Sequence, residues 1–344
     1  MTWSHHAAGA GAVVLTAALL LAGCTTALPR PEAEPPVIGA VVSEDQETQI
    51  IARVAGAVGR ATTERDVAAL AARTAGPARQ MRTSQIEVAR LRGDDELVTS
   101  LPMTMQAVML PSDAAWPRTS LAVSTPSDDK LTPLLYAFEQ RSAREDYKLW
   151  GWVQLQPDVT LPRFASTDTG AGSVRADDAE TLAMSPKAAL AAYAAVLSDP
   201  EGKFADTFDD DVLRQFLLEQ EREQTSDEKF TAAGGRYDYD AKPGAAGLRA
   251  MRTVDGGAIV LGALDSVLAV AVEECGKIRA ESLAPSQRAL FGDQAESNVL
   301  RTRYLDTVAL HVPPAGSGSR VRLVGFDHVA VAVESAGDTS GCGA

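Results

Sequence analysis

Histidine, cysteine and aromatic residues are all scarce in this 344-residue chain. Of its four histidines, His5 and His6 stand near the first residue, which leaves His311 and His328 for everything that follows. Histidine is the commonest acid–base group and metal ligand near neutral pH. No His-x-x-x-His or Cys-x-x-Cys pair is present to hold zinc, so no metal site is expected. Also missing are a Gly-x-Ser-x-Gly elbow, a Walker-type lysine loop and a dinucleotide fingerprint, so no cofactor is expected either. Gly56 and Gly59 fall in a helical stretch with no strand before them. Carboxylates are plentiful, but no spacing singles out the facing pair that glycoside hydrolysis needs. Basic residues are outnumbered, 32 Lys+Arg against 46 Asp+Glu, for a formal net charge of −14. Such a surface repels nucleic acid, which is therefore not an expected partner.

Only one run approaches membrane-spanning character. From Ala12 to Ala22 the chain reads AVVLTAALLLA, long enough for a signal h-region and too short to cross a bilayer core as a helix. It ends in Leu21-Ala22-Gly23-Cys24, which resembles the bacterial lipobox. The resemblance implies that residues 1–23 are a removable signal peptide and that Cys24 takes the lipid. The chain departs from the pattern at residues 1–8, which carry no Lys or Arg. Residues 24–42, with the Pro-rich tract TTALPRPEAEPP, read as an extended tether. The expected location is the extracytoplasmic face of the cell membrane, held by two or three acyl chains. High Ala and Arg over Lys suggest a high-GC, actinobacterium-like coding bias.

In an oxidising compartment the two further cysteines, Cys275 and Cys342, pair most naturally as a disulfide; the alternative is two free thiols.

Two stretches share one order of elements. In residues 43–163, Ser43-Glu44-Asp45-Gln46 forms a capping box and Ile50, Ile51, Val54 and Val58 follow at helical spacing. A second helix is expected over 64–73 and a third over 78–91. Strands are then expected before Pro111 and over 118–125, 131–141 and 147–155. Residues 164–183 read as a linker. In residues 184–335, Ser185-Pro186 starts a helix whose apolar face is Leu190, Tyr193, Ala194 and Leu197. Asp209-Asp210-Asp211 opens another, better read as a cap than as a calcium loop. Strands follow over 248–254, 258–273 with a bulge near Gly262, 299–312 and 320–334. Residues 336–344 read as a flexible tail.

Helices backed by a bent antiparallel sheet make this an α+β protein. The arrangement resembles the NTF2-like, cone-shaped fold, here as two tandem units. The LAGC box, Tyr147-Lys148-Leu149-Trp150-Gly151-Trp152 and Thr253-Val254-Asp255-Gly256-Gly257 also resemble uncharacterised actinobacterial surface lipoproteins with a domain of unknown function. That resemblance implies no activity.

Two candidate sites remain. Across the last hairpin His311 falls opposite Arg322 and His328 near Asp306, so Asp306 and His328 can meet, as an acid–base dyad or as an ion pair supporting the sheet. Trp150 and Trp152, two apart on a strand, should share a face that either lines a ligand pocket or fills the core. The expected function is a non-enzymatic binding or interaction protein, its partner an envelope protein or a small ligand. The alternative is an enzyme using Asp306 and His328.

Overall fold

The computed structural model describes residues 39–126, 128, 132–157, 159–294, 296–337 and 342. Cys24 and the signal and tether segments before residue 39 lie outside the described residues. The described residues form one compact unit.

Helix α1 (Glu44–Thr63) begins at Ser43, where the hydroxyl accepts from the Gln46 amide and the Gln46 side chain returns to the Ser43 amide. Ile51, Val54, Val58 and Ala61 make its buried stripe. The helix expected over 64–73 does not form. Arg65 enters the left-handed region (φ 53°), and the Asp66 carboxylate accepts from the amides of Ala68 and Ala69. That local bonding competes with helix propagation, and only one 3-10 turn, Ala69–Ala72, results. Helix α2 (Gly76–Arg92) follows and ends at Gly93, in the left-handed conformation that glycine adopts readily.

Four strands come next: β1 (Met105–Met109), β2 (Arg118–Ser124), β3 (Leu134–Gln140) and β4 (Lys148–Leu155). Helix α3 (Pro186–Ser198) starts at the Ser185 cap with proline in its first turn. Helix α4 (Val212–Ser226) is capped by Asp211, which accepts from the Arg214 amide and from the Tyr193 hydroxyl. The acidic triplet therefore ends in a helix cap. Helix α5 (Glu228–Ala232) leads into the long strands β5 (Arg236–Arg252) and β6 (Ala258–Ala271). Between them Asp255 Oδ1 accepts from the Gly257 amide, and Gly256 takes φ 86°. The bulge expected in 258–273 near Gly262 lies in the partner strand instead: β5 carries the extra residues, between Pro243 and Leu248, while β6 pairs with β9 without a break.

A short hairpin, β7 (Ile278–Arg279) and β8 (Glu296–Ser297), brackets helix α6 (Pro285–Phe291). Strands β9 (Val299–Val312) and β10 (Arg322–Ser335) close the chain. Residues 236–243 belong to β5 because each pairs with a residue of β6 in the ladder. Cys275 and Cys342 form a disulfide that ties the last described residue to the segment just past β6.

The two halves do not carry separate sheets. All eight long strands join one antiparallel sheet in the order β1-β2-β3-β4-β10-β9-β6-β5. The halves meet at β4–β10 through just two residue pairs, Gly325 with Leu155 and Phe326 with Gln154. A Cβ on Gly325 would stand 2.6 Å from the Gln154 carbonyl oxygen, so only glycine permits this approach. Gln156 reinforces the seam from its amide and side chain to the carbonyls of Val324 and Leu323.

Three apolar clusters fill the space on either side. α1 and α2 bury Val54, Val58 and Met81 with Tyr136, Phe138 and Trp152. α3 packs Leu190, Tyr193 and Leu197 on Val260, Leu264, Val308 and Leu310. Between the strand groups, Leu135, Ala137, Trp150 and Val153 meet Ile259, Leu261 and Ala309. Each large side chain fully buried this way contributes about 1.5–3 kcal/mol. Among the described residues, no helix is long and apolar enough to cross a membrane.

Candidate functional site

The β9–β10 ladder pairs His311 with Arg322 and Asp306 with His328, the register counted from the sequence. Asp306 points to the α3/α4 side, beside Leu264 and Val308, and is wholly buried. His328 Nδ1 lies 2.5 Å from Asp306 Oδ1. The other oxygen, Oδ2, accepts from the Tyr239 hydroxyl at 3.1 Å and from the Ser266 hydroxyl. Strands β5, β6 and β10 thus each send one donor to a single carboxylate on β9. A buried carboxylate is tolerated when hydrogen bonds replace its lost water.

The imidazole is held by rings. Tyr304 stacks on it at 4.0 Å between centroids, and Phe216 of α4 meets it edge-on at 5.9 Å. The Tyr304 hydroxyl accepts from Gln287 of α6 at 2.9 Å. Burial and the Asp306 charge both push the Tyr239 hydroxyl well above its ordinary range, so it stays a donor. His328 Nε2 makes no hydrogen bond among the described residues. The centre is therefore an imidazole oriented by a carboxylate, with one free nitrogen and aromatic walls. It could hold a proton or a polar ligand atom at Nε2.

A cavity of about 190 Å³ adjoins it between α3, α4 and β5. Tyr239 lines this cavity together with Tyr237, Arg214, Glu221 and Ser198, and so links it to Asp306. The Arg214 Nε is buried without a partner among the described residues.

Sequence reasoning named Asp306 and His328 but missed Tyr239, Ser266, Tyr304 and Phe216. Tyr304 was recoverable, because it stands two residues before Asp306 on one strand and so shares its face. Ser266 faces Tyr304 across β6–β9, a pairing that required knowing which strands were neighbours.

The expected common face of Trp150 and Trp152 is overturned. Ala137 pairs with Gly151 and the adjacent Phe138 with Leu149, which leaves Trp150 as an extra, bulged residue. A bulge shifts the alternation by one, so the two indoles enter different clusters, Trp150 with Leu135 and Leu261, Trp152 with Tyr136 and Met81. Both are wholly buried. Trp150 lies against Gly76 and under the Arg249 guanidinium at 4.4 Å. Trp152 Nε1 donates to Asp327 Oδ2 at 2.5 Å. Burial pushes the Asp327 carboxyl up to about 6, opposed by that hydrogen bond. His311, the other histidine, sits 3.4 Å from Asp255 with its pKa lowered by burial.

A family model for a domain of unknown function, DUF8094, matches residues 39–335. No curated protein and no solved structure matches the chain.

Proposed function

The chain belongs to the DUF8094 family, and for it we propose a lipid-anchored binding or interaction protein on the outer face of a bacterial cell membrane, without chemistry of its own. The observation that carries this reading is the engagement of Asp306. Both its oxygens are taken by donors from three strands, and His328 is packed between two rings. That arrangement stiffens one wall of a cavity, which suits recognition of a small ligand. The anchor rests on Leu21-Ala22-Gly23-Cys24 and the apolar run before it. The order of helices before bent strands in each half supports an NTF2-like ancestry, with the two units sharing one sheet.

One observation favours the rival reading, an enzyme with an Asp/His pair. His328 Nε2 has no partner among the described residues while Nδ1 is oriented by a carboxylate, as a general base requires.

Thermal unfolding of the full-length chain in nonionic detergent, run against sugars, lipids and envelope metabolites, separates these readings. A ligand at a hundred times its Kd should stabilise the protein by about 2.7 kcal/mol. If that shift is lost in Tyr239→Phe, the ligand occupies the cavity beside Asp306. Turnover of the ligand would replace the binding reading with the enzymatic one.

A further inference from the structure

A second polar cluster lies in the other half of the molecule, under the first turn of α1. Glu47 is wholly buried there. The Ser120 hydroxyl donates to its Oε1 at 2.6 Å, and its Oε2 finds no partner. The Tyr147 hydroxyl and the Arg118 Nε are also buried without partners among the described residues. Buried polar groups are normally paired, so three orphans from α1, β2 and the residue before β4 are suited to meet a ligand.

Arg118 and Tyr147 also line a cleft of about 380 Å³, and Arg53 and Arg73 complete its wall. Arg53 is exposed and forms no ion pair among the described residues. Arg73 meets Asp146 at 3.1 Å, a carboxylate that is itself 62 % exposed. The Arg118 guanidinium lies 4.1 Å from the Trp116 ring, held in place by the Ala114 carbonyl. Glu145 and Asp146, the acidic residues lining the cleft, are exposed. Burial pushes the Glu47 carboxyl up to about 7, so near neutral pH it is protonated in part and then does not repel an anion. Three guanidiniums around one opening are unexpected in a chain of net charge −14. Their forked donors match carboxylate and phosphate oxygens.

We propose that this cleft binds a small organic anion through a carboxylate or phosphate group, held by Arg53, Arg73 and Arg118 with the Tyr147 hydroxyl as the buried donor. The site is separate from the Asp306–His328 centre, and either can stand without the other.

Calorimetric titration of the full-length chain in nonionic detergent tests this, with inorganic phosphate and citrate as the probes at constant chloride. Two variants are chosen to leave the fold intact: Tyr147→Phe removes a hydroxyl with no hydrogen bond among the described residues, and Arg53→Gln alters an exposed side chain. Saturable binding of either probe is expected, weakened about tenfold or more in Tyr147→Phe, as loss of a hydrogen bond to a charged group implies. Phosphate binding alone would assign a phosphoryl ligand, and citrate binding alone a carboxylate. The proposal is overturned if neither probe binds, or if Tyr147→Phe binds as the wild type does. Weakening in Arg53→Gln only would mean a diffuse field and no built site, and would overturn it equally.

Discussion

Nδ1 of His328 stands 2.5 Å from Oδ1 of Asp306, directly across the β9–β10 ladder. The pair belongs to a four-strand polar knot, because Tyr239 and Ser266 bind the other oxygen from β5 and β6.

Removing the carboxylate should therefore destabilise the fold. Asp306→Ala leaves two hydroxyls and an imidazole without their acceptor, and should cost about 3–5 kcal/mol, as for other broken buried pairs. Urea unfolding gives the value. Asp306→Asn and His328→Ala should also lower stability, by less. An intact fold together with a lost activity in those variants would favour the enzymatic reading.

The seam between the halves rests on Gly325, whose added Cβ would lie 2.6 Å from a main-chain oxygen of β4. A carbonyl in a ladder cannot swing aside as a side chain can. Gly325→Ala should cost about 1–3 kcal/mol, the usual range for overpacking. Hydrogen exchange should show the loss of protection centred on Gln156, whose amide donates to the Val324 carbonyl, and on Phe326. Unchanged protection there would mean that the two-pair contact does not hold the halves together.

The Cys275–Cys342 bridge joins residues separated by 67 in sequence. Chain-entropy reasoning assigns closure of such a loop about 4 kcal/mol, acting mainly on the unfolded chain. Cys342→Ser should lower the denaturation midpoint, and a reducing agent should produce the same shift in the wild type but none in the variant.

Glu47 makes stability depend on pH. Its folded pKa is raised by burial from 4.5 to about 7, so the folded state binds the extra proton between those values. Stability must then fall as pH rises through that window and level off above it. The full effect is on the order of 3 kcal/mol at about 1.4 kcal/mol per unit. Asp327, raised to about 6, acts in the same sense over a narrower window. Glu47→Gln keeps the acceptor for Ser120 and should remove about half of the fall, and most of it above about pH 6, where Asp327 no longer contributes, read from denaturation midpoints between pH 4 and about 8. A slope that is unchanged in this variant would assign the effect to Asp327 or to other groups.

Cell-surface attachment is tested at Cys24. Growth with a labelled fatty acid should mark the wild-type chain, and Cys24→Ala should remove the label and release the protein from membranes. Labelling that survives the substitution would remove the anchor from the proposal.

Much of this protein is determined locally and is legible in the sequence. Ser43 with Gln46, Ser185 with Pro186 and Asp211 place helix starts, because each cap is bonded within one turn. Apolar alternation over 299–312 and 320–334, joined by a short Pro/Gly turn, sets the hairpin register, and with it the meeting of Asp306 and His328. What the sequence left open depends on partners far along the chain. Nothing local to Trp150 announces its bulge, which follows from packing against Gly76 and Arg249. Glu47 reads as an ordinary first-turn acid, and it is buried only because α1 lies over Ser120 and Tyr147. The merging of two strand sets into one sheet hangs on two residue pairs at Gly325. Capping and periodicity act within a few residues and leave a pattern; packing joins surfaces many tens of residues apart and leaves none.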